Sequence, residues 1–238
     1  MDKPPRKPPT CSTCGATGHT SASQKFHPTP KEDVYTPDAL RYFYQLHKQY
    51  VLSVDEGEKL YKTKIRRPNM PEHISENIIK FIIQNKIGDK TATWNCKGDL
   101  FSEREGKQEC KCFTSDGPPS FTPTSNWDVI YFLDARKWVD DSFVLYRVGL
   151  KQASPEWRAI KVNKETTFGE HADGTRRPRI TWEALYPQIA SHCTKVFEGS
   201  FEDIFKMPEE EPVSVQSDAR PEQTPRSPQA CTDVNQPS

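Results

Sequence analysis

The chain has 238 residues, 34% hydrophobic and 28% charged, with 33 basic residues balancing 33 acidic ones. Such a length builds one domain of ordinary size with appendages, and zero net charge excludes capture of nucleic acid by overall basicity, leaving only a local cleft for it. No run of about 18 apolar residues is present, which excludes a membrane-spanning helix. The proline-rich start also lacks the apolar core of a secretory signal. The seven cysteines show no disulfide rhythm and suit a reducing compartment, so the chain is expected to be soluble and intracellular.

Residues 1–31 carry Lys3, Arg6, Lys7, Lys25 and Lys31 against Asp2, and open on a proline and lysine lead, MDKPPRKPPT, that is expected to be disordered. Cys11, Cys14 and His19 follow in C-x2-C-x4-H spacing, with Gly15 and Gly18 allowing a short chain to wrap a tetrahedral ion. This predicts a structural Zn²⁺ module resembling a zinc knuckle, used to contact nucleic acid. The usual fourth ligand is absent, because Gln24 stands at its place; His27 is the nearest competent substitute.

Residues 32–206 are expected to form the folded domain. Pro37 stands just inside a helix start, and Leu40, Phe43, Tyr44 and Leu46 have helical spacing, so one helix is predicted to end before Gly57. A second helix is predicted where Ile74, Ile78, Ile79, Ile82 and Ile83 make an apolar stripe stopped by Gly88. The pattern then turns to short strands rich in β-branched and aromatic residues: TATWNC, GDLFS, QECKCF, WDVIYFLDA and FVLYRVGL. Between them SDGPPSFTPTS reads as loop. Helical spacing returns through Trp182, Leu185, Tyr186 and Ile189, with Pro187 expected to bend or interrupt it. Residues 207–238 hold six acids against two arginines and little that is apolar, so this acidic tail is expected to be disordered.

The chemistry concentrates in WNCKGDLFSEREGKQECKCF, residues 94–113. Glu109 and Lys111 are two apart on a predicted strand and share a face, while Cys110 and Cys112 point to the apolar side. Asp99 precedes a hairpin turn around Gly106, and antiparallel pairing brings it to the same end of the sheet as Glu109. Glu76, on the second helix, is a further acid within reach. Two carboxylates suit Mg²⁺, which takes oxygen ligands and keeps several waters; an ammonium beside them completes a set for phosphodiester hydrolysis. Glu105 and Lys107 repeat the acid–lysine spacing, but Gly106 between them makes a turn rather than a strand.

Asp99, Glu109 and Lys111 in GDLFSEREGKQECK resemble the PD-(D/E)XK nuclease signature, and KCFTSDGPPSFTPTSNWDVIYFLDA resembles the segment that follows it in small type II restriction endonucleases. TRRPRITWEALYPQI has a similar flavour, so the resemblance covers roughly residues 70–205. It departs at Gly98, where the signature has proline. The resemblance implies an α/β restriction-endonuclease-like core, a mixed sheet flanked by helices. It also implies Mg²⁺ on Asp99, Glu109 and the backbone carbonyl of Cys110, with Lys111 orienting or activating water and Glu76 matching a helix acid. Double-stranded DNA cut at a short palindromic site by a homodimer is implied in the same way, and a cognate methyltransferase is left open.

For DNA contact the sequence offers Arg176, Arg177 and Arg179, in a loop fixed by Gly174 and Pro178, and a second patch with Lys62, Lys64, Arg66 and Arg67. The competing reading of the first loop is a surface basic cluster paired with Glu170 and Asp173. His171, His192 and four tryptophans (Trp127, Trp138, Trp157, Trp182) read as packing or surface residues. Two other functions fit the same residues: a non-catalytic nucleic-acid-binding adaptor, and a structure-specific repair or recombination nuclease.

Overall fold

A computed structural model describes residues 35–95, 99–123, 125–174 and 177–206. The predicted zinc module, with Cys11, Cys14, His19 and His27, and the acidic tail lie outside the described residues, as does Arg176.

Helix α1 spans Pro37–Tyr61, opened by the Thr36 side chain accepting from the Ala39 amide and closed by Lys62 in the left-handed region. It does not end before Gly57 as predicted. Among the described residues a Cβ at Gly57 would meet nothing within 4 Å, and good helix formers flank it, so the helix absorbs the roughly 1 kcal/mol that a helical glycine costs. Helix α2, Glu72–Ile82, continues into a π-helical turn, Ile83–Ile87, and stops at Gly88 with φ +78° as expected.

Six strands among the described residues form one sheet in sequence order: β1 Thr93–Trp94, β2 Leu100–Ser102, β3 Gly106–Phe113, β4 Val129–Asp134, β5 Phe143–Val148 and β6 Cys193–Gly199. All neighbours are antiparallel except β3 and β4, which run parallel from Gln108↔Val129 to Phe113↔Asp134. A parallel pair needs a crossover of a dozen residues or more. The described residues between 114 and 128 supply it without a helix, held by the buried Phe121, whose amide bonds the Pro178 carbonyl at 3.0 Å.

The sheet is packed on both faces. Cys110, Tyr131, Leu133 and Leu145 lie in one core with Leu40, Tyr44 and Val51 of α1 and the isoleucines of α2. Ile130, Phe132 and Val148 face the other, under Trp157 of α3 (Pro155–Ala159), Phe168 of α4 (Phe168–Asp173) and Trp182 and Leu185 of α5 (Trp182–Ile189). The four tryptophans are all core residues. Pro187 stays inside α5, which passes into a 3₁₀ turn at Ala190–His192 rather than being interrupted earlier. This is a mixed α/β sandwich, compatible with a restriction-endonuclease-like core. Among the described residues no helix is long and apolar enough to cross a membrane.

Candidate active site

The site forms where β2 leaves β3. Their pairing runs Ser102↔Gly106, Phe101↔Lys107, Leu100↔Gln108, and one further step of that register sets Asp99 opposite Glu109. The ladder ends before this step. The Asp99 carboxylate instead takes the Cys110 amide at 2.6 Å, filling the vacancy left by the missing strand. In an extended strand the N–H and C=O of one residue point to the same edge, so the Cys110 carbonyl faces this gap too. Lys111 Nζ lies 3.4 Å from it and 2.5 Å from Glu109 Oε1.

The alternation of residues 109–113 places the thiols as predicted, Cys110 and Cys112 packing toward the α1/α2 core. The face of Glu109 and Lys111 is not open surface, however. Their side chains are 10% and 17% exposed, and Lys111 Nζ stands 6.0 Å from the Phe121 ring of the crossover. The rival Glu105 is bound elsewhere, to Arg147 at 2.7 Å and Tyr131 at 2.5 Å.

Burial raises the Glu109 carboxyl above its ordinary range, with Lys111 opposing and Asp99 adding to the rise. Asp99 is raised by burial as well, against the pull of Lys111 and the Cys110 amide. Glu76 on α2 is pushed up to about 7, first by burial and then by the charge of Asp99. For Lys111, burial works to lower the pKa, but Glu109 outweighs it and the ammonium stays charged. With all groups ionised, Glu76, Asp99, Glu109 and Lys111 hold two negative charges in excess. A dication placed there would offset that imbalance.

Among the described residues no three His, Cys, Asp or Glu side chains group as a metal cage. Two carboxylates and a carbonyl are instead the sparse oxygen set that Mg²⁺ takes while retaining waters. The donor chemistry therefore fits a hard divalent ion.

Beyond Lys111 along β3, a polar groove is lined by Arg66, Asn69, Cys112, Ser115 and Arg179. Two basic patches more than a hundred residues apart in sequence thus meet at one place. Neither patch by itself signals the other, and the contribution of Asn69 and Ser115 has no sequence motif. Arg67 turns away, pairing with Asp55 on α1 at 2.7 Å. Arg177 is exposed. The acids that might have neutralised the arginine loop are engaged elsewhere: Asp173 holds Arg158 at 3.0 Å, and Glu170 closes the N-terminal capping box of α4. His171 contacts Thr166, and His192 lies at the surface, away from this chemistry.

The model of the Bsp6I restriction endonuclease family matches residues 41–185, a span that contains Glu76, Asp99, Glu109, Lys111, Arg66 and Arg179. The type II restriction enzyme Bsp6I of Bacillus sp. (strain RFL6) is 37% identical over 62 residues, which is 26% of this chain and 34% of that enzyme. The chain thus spans about a third of the length of that curated relative. No solved structure matches. With the family model covering more than half of it, the chain belongs to the Bsp6I restriction endonuclease family.

Proposed function

We propose that this chain is a Mg²⁺-dependent type II endonuclease of the PD-(D/E)XK kind, hydrolysing phosphodiesters of double-stranded DNA at a short specific sequence. The observation that supports this most is the convergence of Asp99, Glu109 and Lys111 at the gap beside β3, next to a groove bearing Arg66 and Arg179. Asp99, Glu109 and the Cys110 carbonyl would hold the ion, which when bound supplies charge stabilisation at the attacked phosphate and lowers the pKa of a water. Lys111 orients that water and offsets charge as it builds on the phosphate. Asp99 also fixes the β3 backbone through the Cys110 amide, so the carbonyl is aimed before substrate arrives. Glu76, its pKa pushed up to about 7, would serve as an acceptor for a proton released nearby. Phe121 of the crossover packs 6.0 Å from Lys111 Nζ and helps to bury this face, which strengthens each of these electrostatic terms. Arg66 and Arg179 bind the duplex backbone or guanine edges, and Arg176 and Arg177, close before Arg179 in the sequence, are further candidates for the same contacts.

Action as a homodimer on a palindrome, pairing with a methyltransferase and a zinc-knuckle arm on Cys11, Cys14, His19 and His27 belong to the same reading. Plasmid digestion tests its centre. Wild type with Mg²⁺ should give discrete fragments, while Asp99→Ala, Lys111→Ala and wild type in EDTA should give none. Duplex binding in EDTA with no turnover under any divalent ion would mark an adaptor, and cleavage confined to branched or mismatched duplexes would mark a repair nuclease. Elemental analysis of wild type against a Cys11→Ser/Cys14→Ser variant tests the zinc.

A further inference from the structure

Two hollows meet where the crossover and the arginine loop are tied together. Ser120 bridges Arg179 there, and the Phe121 amide bonds the Pro178 carbonyl at 3.0 Å. On one side of this tie Pro119 and Arg179 line the polar groove that also holds Arg66. On the other side Phe121 and Pro178 line a second hollow of about 120 Å³, walled further by Trp127 of the crossover, Trp157 of α3 and Phe168 of α4. The lining thus changes from guanidinium to aromatic within one or two residues, about 3–7 Å of extended chain.

The second hollow is aromatic without being wholly apolar. Trp127 is 2% exposed, and its indole N–H has no hydrogen-bond partner among the described residues. Buried donors are nearly always paired, because an unpaired one has given up water for nothing. Gln152 adds an amide to the same wall, its nitrogen on the Pro123 carbonyl at 3.1 Å. Aromatic rings with a few hydrogen-bonding groups among them suit a flat heterocycle. A cavity of ~150 Å³ holds a benzene ring, so this hollow has room for one six-membered ring and not for two fused rings.

We infer that the second hollow receives a pyrimidine base turned out of the duplex while the phosphate of the same nucleotide lies in the polar groove. In a paired duplex the base points to the helix axis and away from the protein that holds its phosphate. One nucleotide therefore fills both hollows only when its base is rotated out of the stack. A carbonyl oxygen of the pyrimidine accepts from Trp127 Nε1, and the surrounding rings replace the lost stacking. Phe121 links this hollow to the chemistry, since its ring lies 6.0 Å from Lys111 Nζ on one side and 5.0 Å from Phe168 on the other. Seating the base anchors the strand within one ring of Lys111. The inference rests on the nuclease reading in taking duplex DNA as the substrate.

Binding of the full chain in EDTA to duplexes carrying its site tests this. The site is mapped from plasmid fragment ends or, without cutting, by selecting bound duplexes. The partner of each pyrimidine in the site is replaced in turn by an abasic position. An unpaired base costs less to extrude, so affinity should rise about tenfold at one position and fall or hold at the others. 2-Aminopurine beside that pyrimidine should brighten on binding, as its stacking neighbour leaves. Ala172→Leu, which fills the hollow from α4, should melt no lower than wild type and lose both signals. Ala153→Leu fills it from an exposed wall position and replaces the first variant if that one melts low. Trp127→Phe keeps a ring, removes the N–H and should lose most of the gain in affinity. A site with no position that tightens overturns the proposal, as does a gain that survives filling the hollow. A chain that cuts its site yet shows no such position keeps the nuclease and loses the base pocket. One that shows the position, loses it on filling and never cuts does the reverse, and a chain that binds no duplex overturns both.

Discussion

Replacing Lys111 by methionine removes one ammonium and little volume, and it exposes how the site is held together. Glu109 loses a partner at 2.5 Å in a place where its side chain is 10% exposed, and Asp99 loses the nearest compensating charge. Breaking a buried ion pair from one side costs about 3–5 kcal/mol, since a charge remains without water or partner. The cost depends on pH in a defined direction. Both carboxyl pKa values already lie above the ordinary range and rise further without Lys111. The folded variant therefore binds protons that the unfolded chain does not, and its stability deficit shrinks as pH falls toward about 5. Urea melts of wild type and Lys111→Met in EDTA at pH 8 and pH 5 measure both quantities. Adding Glu109→Gln to the variant should return about half or more of the lost stability, because only Asp99 then keeps a charge without its ammonium partner, and cleavage should stay absent. A Lys111→Met chain as stable as wild type at pH 8, or a double variant no better than the single, would refute the buried-pair reasoning. Recovery of cleavage in the double variant would refute the chemical role of the lysine.

Glu76→Gln should raise stability at pH 8 and leave it unchanged near pH 4. With the folded pKa near 7 against an ordinary 4.5, wild type loses stability as pH rises through that window. The full shift corresponds to roughly 3 kcal/mol, and partial exposure to solvent reduces this to about 1–2 kcal/mol; equal melts at both pH values would remove Glu76 from the site. Gly106→Ala should cost about 2 kcal/mol or more in chemical denaturation, because Gly106 has φ +72° and the new Cβ would stand 2.5 Å from Asp128 Oδ2; a loss below about 0.5 kcal/mol would mean the hairpin relaxes freely. Arg66→Ala/Arg179→Ala should weaken duplex binding in EDTA and, if both contact phosphate, flatten the slope of log affinity against log salt by about 2. An unchanged affinity and slope would take the groove out of DNA binding.

What the sequence determined alone was whatever depends on near neighbours. Period-two alternation in Glu109–Phe113 separated thiols from charges, Gly88 stopped a helix, and the spacing from Asp99 across the turn to Glu109 fixed their common end of the sheet. Local rules misjudged Gly57, whose penalty of about 1 kcal/mol is small beside the rest of a long helix. They also passed over β6, an edge strand in which Phe197 alone is buried and charged residues blur the alternation. The tertiary structure decided the rest. Only the parallel crossover between β3 and β4 brings Phe121 over Lys111 and buries the strand face that Lys111 shares with Glu109. Only the packing of α2 against the sheet puts Glu76 within the field of Asp99. Arg66 and Arg179 share a groove because separate elements converge at the end of β3. Side-chain burial and long-range charge depend on which surfaces meet, and that is set by chain topology rather than by any run of neighbouring residues.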